Sequence, residues 1–213
     1  MTYTPEVAAA LSGASVRQLA YWRSGRTGDP LLRPRTFRAG SPVQYSFEDV
    51  VALRTIVYLR ARGVPLQRIR KAVVALRELG AIEHSSRYRL LSLGQDVVWR
   101  TDDDAVALTG AVRGQQVIAE LVDVLEAFEG HDGNRVVALA QPVPGISVDR
   151  DVLAGFPVVE GTRVPYAQVA GLIADGVPPE AVSEFYPSVT AHGAEGARVF
   201  ADLVAGQPVV AAA

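Results

Sequence analysis

Apolar positions recur every three or four residues in short bursts along the chain, and most bursts are bracketed by a capping side chain and a glycine or proline. This is the pattern of short amphipathic helices joined by tight turns. Thr4, Pro5 and Glu6 read as an N-cap, a first-turn proline and an early acid, with Val7, Ala8 and Leu11 as the apolar stripe and Gly13 as the stop. Almost at once, Ser15-Val16-Arg17-Gln18 has the Ser-x-x-Gln form of a capping box. The helix it opens is expected to run to about Ser24, with Val16, Leu19 and Ala20 inward and Arg17, Gln18 and Tyr21 outward. Two short helices around a glycine turn form a helix-turn-helix, and long polar side chains near the start of the second are where such a motif reaches base edges.

Residues 25–45 break the pattern with Gly25, Gly28, Pro30, Pro34, Gly40 and Pro42. Arg33, Arg35 and Arg38 lie among these breakers, with Phe37 and Tyr45 as hairpin anchors, so the segment reads as a small basic wing whose arginines meet phosphates beside the groove. Helical spacing resumes at Ser46, with Val50, Leu53, Val57 and Leu59 inward and Gly63 as the stop. Pro65 opens a further helix through Leu66, Ile69, Val73, Leu76 and Leu79, ended by Gly80.

Beyond residue 80, two runs of strand character, 88–93 and 97–100, flank Gly94-Gln95-Asp96 as a hairpin. Asp102, Asp103 and Asp104 read as a solvated turn, because consecutive carboxylates rarely aim at one ion. Gln115 to Glu129 has the clearest helical period, with Val117, Ile118, Leu121, Leu125 and Phe128 on one face and acids outside it. That face suits either a core contact or a dimer seam. Residues 136–140 read as a strand. The last part is expected to hold three short helices: one opened by Pro165, one by Pro178-Pro179-Glu180 with Val182 and Phe185, and one preceded by Gly193 with Val199, Phe200 and Leu203. The expected fold class is mainly α with small β-hairpins. It comprises a winged helix-turn-helix over 1–80, a connecting hairpin and helix over 81–144, and a helix-turn-helix-like bundle over 145–213.

Charge divides the chain. The first 80 residues hold thirteen Lys and Arg against five carboxylates, +8, while the rest holds eight against eighteen, −10. A concentrated positive field attracts phosphates, and a negative one is repelled by them. The bundle over 145–213, with three cations and eight carboxylates, therefore suits protein contact better than DNA. The absence of cysteine removes disulfides and thiolate chemistry, and His84, His131 and His192 lack metal-ligand spacing. No Ser-His-Asp or Cys-His set is evident, so neither catalysis nor a cofactor is expected. No secretory leader or apolar run of about 20 residues is present, so a cytoplasmic protein with no membrane contact is expected.

Several strings carry resemblances. Tyr3-Thr4-Pro5-Glu6-Val7-Ala8, Ser15 through Trp22, Leu31-Leu32-Arg33-Pro34, Tyr45 through Val50 and Gly63 through Ile69 resemble the winged helix-turn-helix of MerR-type regulators. The resemblance implies major-groove entry by the second helix. It makes Ser15, Arg17, Gln18, Tyr21, Arg33, Arg35, Arg38 and Tyr45 the candidate DNA-binding residues. The family's arginine before its aromatic pair is Ala20 here, and residues 26–30 lengthen the path to the wing. The later string Gly155-Phe156-Pro157-Val158-Val159-Glu160-Gly161-Thr162-Arg163-Val164-Pro165, with Gly176 to Glu180 and Tyr186 to Thr190, resembles a small bacterial domain of unknown function found in antitoxins encoded beside PIN-type ribonucleases. The combination is similar to atypical VapB-type antitoxins. It implies a repressor of its own operon that also sequesters a PIN-like ribonuclease toxin.

The alternative reading is a MerR-like regulator whose C-terminal part only dimerises or senses a small ligand. Leu121, Leu125, Phe128, Gly161, Thr162, Arg163 and Tyr186 are the candidate dimer or partner contacts. The Gly-Thr-Arg core lacks the glycine density and lysine of a phosphate loop, so a turn at Gly161 and a salt bridge from Arg163 are the simpler roles. The apolar tail 207–213 fits either disorder or docking. A helix-turn-helix of this size is expected to act as a homodimer on two half-sites. If the 115–129 helix is the seam, Leu121→Asp yields monomers in light scattering.

Overall fold

The computed structural model describes residues 1–25, 30–34, 42–78, 89–93, 96–100, 105–107 and 124–206. The architecture is mainly helical with small antiparallel sheets, as the sequence pattern indicates. Helix α1 (Pro5–Ser12) is capped by Thr4, whose hydroxyl accepts from Val7 N, and ends in left-handed Gly13 (φ 76°). Helix α2 (Val16–Ser24) follows, then α3 (Phe47–Ala61) and α4 (Leu66–Glu78). Before α3, Tyr45 pairs its backbone with Tyr3 through reciprocal 2.8 and 2.9 Å bonds, drawing the chain's start alongside the α3 cap. The wing, with Arg35, Phe37 and Arg38, lies outside the described residues, as do Asp102, Asp103, Asp104 and Leu121.

Helix α3 is the centre of the molecule. Ser46 and Asp49 close a capping box at its start, and every residue from Asp49 to Leu59 is buried. The sequence suggested a single inward stripe; instead α3 is enclosed on all sides, because α1, α4 and the later chain pack around it. Arg54, in its middle, has no exposed surface. Its Nε donates to Val124 O at 2.7 Å, Nη1 to Leu11 O at 2.5 Å, and Nη2 to Glu126 O at 2.8 Å and Leu125 O at 3.4 Å. The Phe128 ring lies 5.3 Å from the guanidinium. Burial pulls its pKa down to about 10, with the Glu126 carboxylate acting in the opposite sense, so it remains charged at neutral pH.

This grip corrects the expected 115–129 helix at its C-terminal end. Residues 124 and 125 are helical, 126 bends away, and Phe128–Glu129 forms β4, paired antiparallel with β5 (Arg135–Val136). The carbonyls at the helix end have no intrahelical partners, and Arg54 supplies the donors that stop it there. Of the strand expected over 136–140, only Val136 is in a strand, as the second residue of β5. Preceding these, β1 (Arg89–Leu93), β2 (Asp96–Arg100) and β3 (Ala105–Ala107) form a three-stranded antiparallel sheet. The two strands of the expected hairpin are thus paired, with Asp96 in the second strand and a third strand added, while Gly94 and Gln95 lie outside the described residues.

The C-terminal part begins with β6 (Ile146–Ser147) and β7 (Val158–Val159), an antiparallel pair. Helix α5 (Tyr166–Ala174), a 3-10 turn at Pro179–Glu184, and α6 (Ala191–Val204) complete it. Two expectations are corrected here. Gly193 lies within the first turn of α6, which Thr190 caps, and not ahead of it. Phe185 points into solvent at 56 % exposure, because Val182 alone fills the inward side of the 3-10 turn.

The two ends of the chain share one apolar core, from Tyr3 and Val7 through α3 to Tyr166, Val169 and Phe200. Four aromatic rings mark the join. Tyr3 stacks on Phe156 at 6.0 Å, Phe156 on Tyr166 at 6.0 Å, and Tyr166 meets Phe200 edge-on at 4.6 Å. The Tyr3 hydroxyl donates to Gly155 O at 2.5 Å. Burial raises the pKa of the Tyr166 phenol to about 12, and burial with the nearby Glu48 carboxylate raises that of Tyr3 further.

Helix α6 reaches the core by close backbone approach. A Cβ on Gly196 would lie 2.4 Å from Pro144 O, and backbone cannot yield as a side chain does. Gly196→Ala is therefore expected to lower unfolding free energy by about 2 kcal/mol. Arg54→Met, which strands the carbonyls of Leu11, Val124 and Glu126 while Leu125 O keeps its bond from Leu139 N, is expected to lower it by about 2–4 kcal/mol. Urea unfolding of the full chain measures both.

Candidate nucleic-acid interface

Helix α2 is set by its own cap. Ser15 Oγ accepts from Gln18 N at 3.2 Å, and Gln18 Oε1 accepts from Ser15 N at 2.8 Å. With the start fixed, the helical period decides which side chains turn inward. Leu19 and Trp22 are buried at 2 % and 4 % exposure. Val16, Ala20, Ser24, Arg17 and Tyr21 occupy the opposite arc and are all exposed. The expected inward placement of Val16 and Ala20 is corrected, because Leu19 with Trp22 already fills the space against the core. Beyond α2, Gly25 turns left-handed (φ 62°), and Leu31 N donates to Trp22 O at 2.9 Å.

The candidate DNA contacts divide accordingly. Ser15 and Arg17 are exposed, Tyr21 is 41 % exposed, and Gln18 is half-buried with its carbonyl oxygen engaged by the cap. Arg33 is exposed just after buried Leu31 and Leu32. Tyr45 is a correction. It is 2 % exposed, and burial raises its pKa, so its ring belongs to the core beneath the motif and not to a DNA-facing surface.

Some of the head's positive charge is also committed to the fold. Arg54 is wholly interior, and Arg62 donates to the Tyr58 hydroxyl at 2.6 Å with its guanidinium 4.7 Å from that ring. The count of +8 therefore overstates what is free to meet phosphates. Sequence periodicity did not signal this, since an arginine on a helix ordinarily faces water.

Behind α2 lies a small cavity of about 150 Å³ between Gln18, Trp22, Val57, Arg60 and the turn Gly130–Asn134. Gly13, the helix-turn-helix turn, also lines it, and a Cβ there would lie 2.4 Å from Val136 Cγ2. The β4–β5 hairpin thus leans directly on the turn that orients α2.

The candidate partner contacts are dispersed. Gly161 makes a left-handed turn (φ 73°), and Thr162 Oγ1 donates to Val159 O at 2.8 Å while accepting from Val164 N at 3.0 Å. These two residues hold the turn. Arg163 is exposed and makes no ion pair with a described residue, contrary to the expected salt bridge. Tyr186 is half-buried, its hydroxyl 3.3 Å from Gln168 Oε1. Leu125 is 36 % exposed, and Phe128 packs edge-on against Tyr58 at 5.1 Å. His131 and His192 are exposed. Among the described residues, no group of three or more His, Asp or Glu is placed to hold a metal ion, and no helix is long and apolar enough to cross a membrane.

Comparison with known proteins agrees with this geometry. Residues 3–76 match the family described as MerR HTH family regulatory protein, and residues 146–201 match the family described as protein of unknown function (DUF433). The chain carries a MerR-type helix-turn-helix domain at its N-terminus and a DUF433 domain at its C-terminus. It is similar to the uncharacterized HTH-type transcriptional regulators Mb1861 of Mycobacterium bovis and Rv1830 of Mycobacterium tuberculosis. Identity to each is 29 % over 153 residues, which is 66 % of this chain and 64 % of the relative. The chain thus spans less than two thirds of the length of those curated relatives. The crystal structure of Rv2018 from Mycobacterium tuberculosis has a similar fold, with a TM-score of 0.50 and 19 % identity over 92 % of this chain and 96 % of that one.

The reciprocal cap is what fixes the first turn of α2. Ser15→Ala is expected to cost about 1 kcal/mol of stability in thermal or urea unfolding, and Ser15→Asp, which keeps an acceptor, is expected to restore most of it.

Proposed function

We propose that this chain is a DNA-binding transcriptional regulator acting in the cytoplasm, with α2 entering the major groove of an operator and the basic head gripping flanking phosphates. The observation that carries the reading is the outward arc of α2, where Arg17 and Tyr21 stand exposed on a capped helix whose other side is locked by Leu19 and Trp22. The names of the relatives support it. Ser15, Arg17, Gln18, Tyr21 and Arg33 are the described contact residues, with Arg35 and Arg38 on the wing. A homodimer on a pseudopalindrome supplies the two half-sites that such a motif needs for useful affinity.

A second reading adds a protein partner. The DUF433 part is acidic and presents Phe185 at 56 % exposure beside the exposed carboxylates of Glu180 and Glu184. An aromatic anchor rimmed by negative charge complements a basic, RNA-binding protein such as a PIN-like ribonuclease toxin, which would make the chain an antitoxin as well as a repressor. Co-expression with the neighbouring gene's product separates the readings. A stable complex that Phe185→Ser disrupts supports the second; operator binding with no such complex leaves the first alone.

For the first reading, Arg17→Ala is expected to weaken binding to the chain's own promoter by about 1–3 kcal/mol in fluorescence anisotropy at fixed salt. The wild-type constant is expected to fall steeply as salt rises. Equal affinity of wild type and variant for promoter and random DNA would remove base reading from Arg17.

A further inference from the structure

The exposed large apolar side chains among the described residues are Met1, Val16, Tyr21, Leu125 and Phe185. Single exposed apolar residues are ordinary, but two of these five, Val16 and Tyr21, lie at the two ends of the exposed arc of one short helix. Tyr21 has a hydroxyl that suits a wet surface; Val16 has nothing polar. It is 43 % exposed at the first position of α2 and serves neither the cap, made by Ser15 and Gln18, nor the core, filled by Leu19 and Trp22.

At 100° per residue the outward arc runs from Val16 through Ala20 and Ser24 to Arg17 and Tyr21. One side of the arc therefore carries short side chains, which let the helix axis come close to a surface. The other side carries long ones, which reach further. In the major groove the only apolar group a base pair presents is the C5-methyl of thymine. A β-branched side chain with few rotamers, held at a capped helix start, offers that methyl a fixed apolar partner.

We infer that Val16 determines sequence specificity by packing on a thymine C5-methyl group, beside the polar contacts of Arg17. The inference rests on the DNA-reading proposal above and assigns one further element of its code. Arg17 fixes position by charge and hydrogen bonding, and Val16 discriminates by dispersion and dehydration alone.

The test uses the full chain and a duplex that it selects from a random pool. Each thymine of the selected site is replaced in turn by deoxyuridine, which deletes the methyl and preserves base pairing. Binding is then followed by anisotropy at constant salt. At one position per half-site the wild type is expected to lose about fourfold in affinity, the worth of burying one such carbon. Val16→Ser is expected to bind the thymine duplex about fourfold more weakly and to treat thymine and deoxyuridine alike there. Val16→Ile, which keeps an apolar branch, is expected to retain the discrimination. A selected site bound equally with thymine or deoxyuridine at every position overturns the inference while leaving DNA reading intact. So does a Val16→Ser protein that still tells the two apart. A pool that yields no preferred sequence overturns the DNA-reading proposal, and this inference with it.

Discussion

One guanidinium sets the terms for the rest of this molecule. Arg54 sits without solvent in the middle of the central helix and holds backbone carbonyls from two separate stretches of chain, Leu11 in the first helix and Val124 to Glu126 in the connecting region. Burying a charge is costly unless every donor finds an acceptor. Here the acceptors are carbonyls that helix ends leave without intrahelical partners, so one side chain resolves two problems. The arrangement has the connecting region end its helix there, turn, and run on as β4 from Phe128. Everything downstream begins from that turn.

A consequence is that head and body are joined through apolar contact as well as through chain connectivity. Charge suggests two modules of opposite sign with separate tasks, and the surface keeps that division, with Arg17 and Arg33 exposed on one and Glu180 and Glu184 on the other. The interior does not. Tyr3, Phe156, Tyr166 and Phe200 form a continuous aromatic run from the first β-bridge to the last helix. A surface ion pair between Arg150 and Glu48 (3.2 Å) crosses the same boundary but contributes little beside the ring stack. The helix-turn-helix turn at Gly13 touches Val136 of the body, so the orientation of α2 depends on contacts outside the head.

Local features of the sequence were readable where a single residue or a short period settles the conformation. Thr4, Ser15 and Ser46 cap the helices that the sequence assigns to them, and Gly13 adopts the left-handed stop. The helix after Pro165 is likewise present. What could not be read was any choice among neighbours in space. Periodicity placed Val16 inward and Phe185 inward, but Leu19, Trp22 and Val182 occupy those sites first. The charge count of the first 80 residues includes Arg54 without distinguishing it from surface cations, whereas it serves carbonyls brought from residues 11 and 124–126. Tyr45 looked like a wing anchor available to DNA and is enclosed by the chain's own start. Each discrepancy involves a contact more than forty residues away in sequence, or competition for one buried site, which a window of one or two turns does not contain.

The Tyr3 hydroxyl finds its acceptor 152 residues later, at Gly155. Ribosomes deliver about 5–20 residues per second, so Tyr3 waits roughly eight to thirty seconds for its partner to be made. The head emerges before the body, yet the last of its contacts close only when the C-terminal domain arrives. A nascent chain of this protein spends its synthesis with the rings of Tyr3 and Phe47 uncovered, a stage at which holding chaperones have something to bind.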